Sequence, residues 1–283
     1  MAESLRFFLG LFEVEILALL LTLPRIYAFL ATSQLLNPGS VPRLARTVAI
    51  LVLAIPAVPL NFAAAEVFAR TPEALALHFV KEIVIGFLIG YFFGWVFWVV
   101  QAAGALIDNQ RGAAIASSID PLQGHESSPL GILFSQAFMT YLFATGAVLP
   151  IFGILYTSYV LWPSTSVFPV IPPNFPEMML RLFDNAFRVA VVMGAPIIAA
   201  MFMAEFALAL VSRFAPQLQV FVVAMPIKSG LAIFMLVFYF TYLMPFGASQ
   251  TQVASGYVTY MYQMFGQPYE LPKPAPAPQG PQR

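Results

Sequence analysis

Residues 79–126 read FVKEIVIGFLIGYFFGWVFWVVQAAGALIDNQRGAAIASSIDPLQGHE, an apolar run followed directly by a polar one. The apolar part, residues 79–107, exceeds the roughly 20 residues that a helix needs to cross a membrane. The polar part, residues 108–126, is small and rich in hydrogen-bonding side chains. Non-helical backbone at membrane depth is tolerated only where protein buries it or water reaches it. We therefore expect this polar stretch, residues 108–126, to form a loop that carries function.

The composition around this stretch is that of a membrane protein. The 283 residues are 60% hydrophobic and only 9% charged, whereas soluble domains have about 25% charged residues. Net charge is zero and there is no basic run, which argues against nucleic acid as a partner. Because cysteine is absent, disulfides and thiol chemistry are excluded.

Six apolar segments are long enough, or nearly so, to span a membrane. They cover residues 7–36, 44–68, 79–107, 130–161, 187–211 and 218–246. Period-two alternation is missing, so the sequence predicts an all-α membrane protein with about six long apolar helical segments, some of them broken. Residues 1–265 are expected to form one membrane domain, and residues 266–283 a Pro-rich disordered tail. Lys and Arg near the loops favour an inside N-terminus only by seven to five, which leaves the orientation open.

Three glycines mark a helix face within the third segment. Gly86, Gly90 and Gly94 lie four residues apart, and each step of about 400° keeps them nearly on one side. Such a face lets another backbone approach closely, either within this chain or from another subunit. Lys81 and Glu82 open the segment, where a long Lys side chain can reach the membrane surface and act as an anchor.

Enzyme motifs are missing from the sequence. His78 and His125 lie far apart, and there is no H-E-x-x-H, nucleophile elbow or P-loop. Asp108 and Asp120 share one polar stretch, without the contrasting environments that split the pKa values of an aspartyl pair. The sequence therefore predicts a protein that is not an enzyme and that has no cofactor and no metal site.

Several motifs, taken in order, resemble one family. They are Lys81-Glu82 with Gly86 and Gly90, then residues 103–112, residues 119–121, residues 213–217 and residues 226–231. Across residues 5–265 the chain is similar to the T subunit of the type III secretion export apparatus, the SctT/YscT/HrcT/SpaR family related to flagellar FliR. The ordered set is specific, although each motif alone is weak. Overall resemblance favours the injectisome branch over the flagellar one.

The resemblance implies a structural, pore-forming subunit of an export gate through which unfolded secreted proteins pass. One T subunit would join about five R and four S subunits, with its front part R-like and its back part S-like. The U switch subunit, the V export-gate subunit and membrane lipid would be further partners. The location would be the bacterial inner (cytoplasmic) membrane, at the core of the secretion basal body.

The resemblance implies roles for two groups of residues, at the positions where this sequence matches the family. A pore plug would be formed in the 105–121 loop by Asp108, Asn109, Gln110, Arg111, Gly112, Ala113, Ser117, Ser118, Asp120 and Pro121. Helix packing and subunit contacts would involve Lys81, Glu82, Gly86, Gly90, Gly94, Glu205, Arg213, Pro216, Gln217 and Lys228.

A multi-pass secondary transporter is the alternative. Six apolar segments interrupted by Pro and Gly can form broken helices around a site at the membrane midplane. No matched pair of interrupted segments stands out, and few ionisable residues lie within the segments.

Overall fold

The structure is a computed structural model that describes residues 13–37, 41–70, 75–112, 128–165, 172–214 and 220–266. Within these ranges the chain forms helices and no strand, which confirms the all-α prediction. The helices are α1 (Glu13–Ser33), α2 (Arg43–Ala54), α3 (Phe62–Arg70), α4 (Leu75–Arg111), α5 (Pro129–Thr145), α6 (Leu149–Leu161), α7 (Phe175–Phe214) and α8 (Val220–Gly266). A 3-10 helix (Ile55–Asn61) joins α2 to α3.

Five helical spans in the described residues could cross a membrane by length and composition, and six if the bent α5–α6 pair counts as one. The pair bends by 80° because Gly146 ends α5 in the left-handed region, with a φ of 72°. A side chain there would strain the backbone, whereas glycine adopts this conformation readily. The break within the fourth apolar segment therefore has a local cause.

Three predicted boundaries were wrong. Residues 105–111, expected to lie in a loop, form the last turns of α4. Helix α7 begins at Phe175, well before the predicted start at residue 187. The second residue of the helix is Pro176, and proline is tolerated in the first turn of a helix. Helix α8 continues through two prolines to Gly266, far beyond 246, and its last turns bury Val258 and Met261 completely. The tail from residue 267 lies outside the described residues.

Helix α4 is the central element of the fold. It contacts α1, α5, α7 and α8, and its apolar side chains point in all directions rather than along one stripe. A helix that is hydrophobic all round is buried. The fully enclosed Phe92 and Val100 illustrate this.

The glycine face of α4 packs against α1 of the same chain. A Cβ added at Gly86 would collide with the carbonyl oxygen of Arg25, and one at Gly90 would collide with Thr32 and with the Phe29 backbone. At Gly94 the obstacle is the Thr32 carbonyl. Without a side chain at these three positions, the two backbones come into direct contact.

Arg25 of α1 and Glu82 of α4 form a two-pronged ion pair in which both side chains are fully buried. Nε and Nη2 of Arg25 donate to the two Glu82 carboxylate oxygens at 2.6 and 2.9 Å. Arg25 also donates to Ser158 Oγ at 3.0 Å and to the Trp162 carbonyl at 2.9 Å. Its guanidinium carbon lies 4.1 Å from the centroid of the Tyr159 ring. The pair thus joins α1 and α4 to the end of α6.

Lys81 is buried beside this pair. Its Nζ donates to the carbonyls of Pro163 and Ser164 at 3.1 and 2.8 Å and lies 3.6 Å from Glu82 Oε1. Both carbonyls follow the C-terminus of α6, the end of a helix at which cations are favoured. Neither Lys81 nor Glu82 reaches the surface of the chain, so the expected anchor at the membrane surface is not what the structure shows.

We expect Gly90→Leu to lower the free energy of unfolding by about 1–3 kcal/mol or more. The new side chain would collide with the backbone of Phe29, which cannot move aside. The measurement is the midpoint of thermal unfolding of the full chain in mild detergent. Gly153→Leu is the matched control, since no atom lies within 4 Å of a Cβ at that helical glycine. Equal midpoints for the two variants would contradict the packing role.

Glu82→Gln should lower the free energy of unfolding by about 3–5 kcal/mol, because Arg25 and Lys81 then stay buried without a counter-charge. Glu177→Gln is the control: it breaks the 2.8 Å pair with Arg181, in which Glu177 is 64% exposed. Exposed pairs of this kind contribute about 0.3–0.5 kcal/mol. Chemical denaturation in detergent compares the two variants, and a similar loss in both would refute the account.

Candidate functional site

Asp108, in the last turns of α4, joins the residues on the two sides of the 113–127 segment. It is 2% exposed. One carboxylate oxygen accepts from Nε and Nη2 of Arg111, each at 2.7 Å. The other accepts from Ser128 Oγ at 2.6 Å and from the Leu130 N–H at 2.9 Å. A single carboxylate therefore links the residues before the 113–127 segment to those after it.

Both flanks of this segment have defined backbone structure. On one side Gly112 leaves α4 with a φ of 87° and donates its N–H to the Asn109 carbonyl at 3.1 Å. On the other side Ser128 caps α5, where its hydroxyl accepts from the Gly131 N–H at 2.9 Å. Ser128 thus acts as the N-cap of α5 and as a donor to Asp108 at the same time.

A second glycine contact brings α4 and α5 together next to Asp108. A Cβ at Gly104 would lie 2.7 Å from the backbone of Gly131, and one at Gly131 would lie 3.0 Å from the Gln101 carbonyl oxygen. The close approach of the two helices places the Leu130 N–H within reach of the carboxylate. Packing and hydrogen bonding therefore depend on each other at this point.

Gln110 connects the end of α4 to the two last helices. Its Nε2 donates to Glu205 Oε2 of α7 at 3.4 Å, and Nζ of Lys228 in α8 donates to the same oxygen at 3.0 Å. The Lys228 side chain is 11% exposed and that of Glu205 is 48% exposed. The structure thus brings together three residues that the sequence placed in two separate groups.

The remaining predicted site residues are spread more widely. Arg213 lies exposed in the last turn of α7 and does not pair with Glu205. Gly86, Gly90 and Gly94 pack inside the chain, as described above. The positions outside the described residues are Ala113, Ser117, Ser118, Asp120, Pro121, Pro216 and Gln217.

Sequence reasoning missed two residues of this architecture. Arg25 is the counter-charge for Glu82. The sequence Leu23-Pro24-Arg25-Ile26 also resembles the family, but it does not reveal this pairing. Ser128 is the partner of Asp108, and Ser-Pro before an apolar run is a helix-start signal that could have identified it as a cap. The pairings themselves join residues far apart in sequence, which a single sequence does not reveal.

The arrangement is suited to holding a segment in place. The carboxylate of Asp108 is saturated by hydrogen bonds from its own chain, which suits a structural role rather than proton transfer. Among the described residues, no three side chains of His, Cys, Asp or Glu come together as a metal site would require. The polar groups tie helix ends to each other.

Comparison with known proteins gives a consistent set of relatives. Residues 16–253 match the family described as "Bacterial export proteins, family 1". The chain is 46% identical over 159 residues to Yop proteins translocation protein T of Yersinia pestis, covering 56% of this chain and 61% of that protein. It is 32% identical over 166 residues to Surface presentation of antigens protein SpaR of Salmonella typhimurium, covering 58% and 61%.

Flagellar relatives also match. The chain is 33% identical over 159 residues to Flagellar biosynthetic protein FliR of Bacillus subtilis, covering 56% of this chain and 61% of that protein. The aligned part therefore spans about three fifths of each of these three relatives. Because the family match extends over residues 16–253, most of the chain, this protein belongs to the bacterial export proteins of family 1, which include the SctT/YscT/SpaR group and flagellar FliR.

Proposed function

We propose that this chain is the structural T subunit of a type III export gate, a pore in the bacterial inner membrane through which unfolded proteins pass. Family membership and relatives named for translocation and flagellar biosynthesis support this proposal. The partners would be about five R and four S subunits, the U switch subunit, the V export-gate subunit and membrane lipid. The 46% identity to a translocation protein favours an injectisome over a flagellum.

The observation that carries the proposal is that Asp108 joins residues before the 113–127 segment to residues after it. A segment that closes a pore must stay attached to a rigid frame while it changes position. Helix α4 supplies that frame, because it is the most enclosed span of the described chain. We therefore propose that the plug lies within residues 105–121, with residues 105–111 as its helical base.

The exposed apolar surface supports assembly with other membrane-embedded components. In the most apolar 18-residue stretch of α8 only 22% is buried, and in the corresponding stretch of α7 only 33% is buried. Phe206 and Phe234 are both more than half exposed. Lipid and subunits R and S would cover these faces. Arg213, exposed at the end of α7, remains a candidate subunit contact, whereas Glu82 is used within the chain.

The secondary-transporter alternative predicts a different behaviour of the purified protein. Native mass spectrometry of material purified through a tag on this chain distinguishes the two. The export-gate proposal requires one copy of this chain with several copies of two smaller membrane proteins. A lone chain that is stabilised against heat by a small solute would favour the transporter.

Replacing residues 114–126 with a four-residue Gly-Ser linker should leave the complex assembled and make the membrane permeable to ions and small dyes. The short linker fits because Asp108 holds residues on both sides of the segment. Dye entry into cells and conductance in planar bilayers are the readouts. If the complex forms in normal amount and conductance stays at the wild-type level, the segment is not a plug.

Asp108→Asn should give an intermediate leak, between those of the wild type and the linker variant. Arg111 and Ser128 donate to different oxygens of the Asp108 carboxylate. In Asn one of these oxygens is replaced by an NH2 group, which donates and cannot accept. Each lost hydrogen bond to a charged group is worth about 1.5–3 kcal/mol. Asp184→Asn, at an exposed carboxylate on α7, is the control and should not leak. Wild-type conductance in Asp108→Asn complexes would contradict the fastening role.

A further inference from the structure

A pocket with a mixed polar and apolar lining lies where α1 ends and α2 begins, far along the chain from Asp108. Its volume is about 420 Å³, within the range of small-ligand sites. Polar side chains on its lining belong to Tyr27, Gln34, Asn37 and Arg46. Its apolar lining comes from Leu30, Ala31, Leu36 and Ile50. The pocket can therefore hold a polar group together with part of a hydrocarbon chain.

Arg46 provides the positive charge of the pocket. Its side chain is half-buried, yet no described residue forms an ion pair or side-chain hydrogen bond with its guanidinium. No acidic residue is present on the described lining, and the sequence has none between Glu15 and Glu66. A half-buried guanidinium without a carboxylate partner is suited to an anion from outside the chain, above all a phosphate group.

Gln34 contributes a second donor and is held there by an unusual backbone conformation. With a φ of 58°, it is the one non-glycine residue in the described chain with a positive φ. Glycine is the usual residue where a helix ends in this conformation. The conformation lets the neighbouring Leu35 enter the core, where it is fully buried, while Gln34 stays on the pocket wall. A strained residue that lines a cavity is an observation from which function is inferred.

The pocket lies between the end of the first candidate span, Val14–Ser33, and the start of the second, Arg43–Val67. A turn between two successive spans lies at one membrane surface, where phospholipid headgroups are found. Tyr27, which is 60% exposed on the pocket rim, has the amphipathic ring that favours this depth.

We propose that this pocket binds one anionic phospholipid. The phosphodiester would accept hydrogen bonds from Arg46 and Gln34, and the first part of an acyl chain would lie against Leu30 and Ile50. An anionic headgroup is preferred over a zwitterionic one because the pocket has a cation and no described acidic residue to bind a choline or ethanolamine. This site is independent of the plug and of the export activity.

Native mass spectrometry of the full chain in detergent, titrated with phosphatidylglycerol, tests the proposal. The wild type should bind one phosphatidylglycerol in preference to phosphatidylcholine. Arg46→Gln should weaken this binding by about tenfold, the effect of losing one charge-assisted hydrogen bond. Arg43→Gln is the matched control, because Arg43 is exposed, three residues away and not on the pocket lining. Its affinity should stay within about twofold of the wild type.

A second variant separates binding from folding. Gln34→Gly removes the amide and at the same time relieves the positive φ, so it should weaken lipid binding while the thermal unfolding midpoint stays the same or rises. Equal weakening by Arg46→Gln and Arg43→Gln would show diffuse attraction to a positive surface and overturn the site. So would unchanged binding in Arg46→Gln. Displacement of the lipid by millimolar inorganic phosphate would overturn the assignment to a lipid.

Discussion

The fold depends on the direct backbone contact between α1 and the glycine face of α4. Lipid is as apolar as a leucine side chain, so helices in a membrane gain little from hydrophobic burial against each other and depend on close packing. Gly86, Gly90 and Gly94 provide that packing. The contact also brings Arg25 next to Glu82, where two charges that would be costly apart become tolerable together. The glycines and the ion pair thus depend on each other, because both require the same close position of α1 against α4.

The opposite end of α4 also combines a close glycine contact with a buried charged side chain. Gly104 and Gly131 bring α4 and α5 into contact, and Asp108 uses that contact to bind Ser128 and Leu130. At the start of α4 the buried Arg25–Glu82 pair joins helices. Near the end of α4 the buried carboxylate of Asp108 joins the flanks of the 113–127 segment. One long helix therefore combines a rigid frame with the attachment of the segment to which we assign the plug.

The sequence predicted the apolar segments, the helical class and the glycine face, because these depend on local composition and spacing. It placed residues 105–111 in a loop, since Asp and Asn favour helix caps and turns. The structure keeps them helical, with Asp108 bonded to residues beyond the polar stretch. The length of α8 was underestimated because prolines usually end helices, whereas here it continues through Pro226 and Pro245. The pairings of Arg25 and of Lys228 were out of reach, since they join residues that are distant in sequence.

As the proposed plug, the segment between the residues that Asp108 joins would lie in the path of exported protein. A photo-crosslinking residue at Ser117 tests this most directly, in cells that export a substrate halted midway by a folded fusion domain. The account predicts covalent capture of the halted substrate from position 117. A probe at Leu44, which is 78% exposed on α2, should instead capture lipid or other subunits. Substrate capture from Leu44 but not from position 117 would contradict the account.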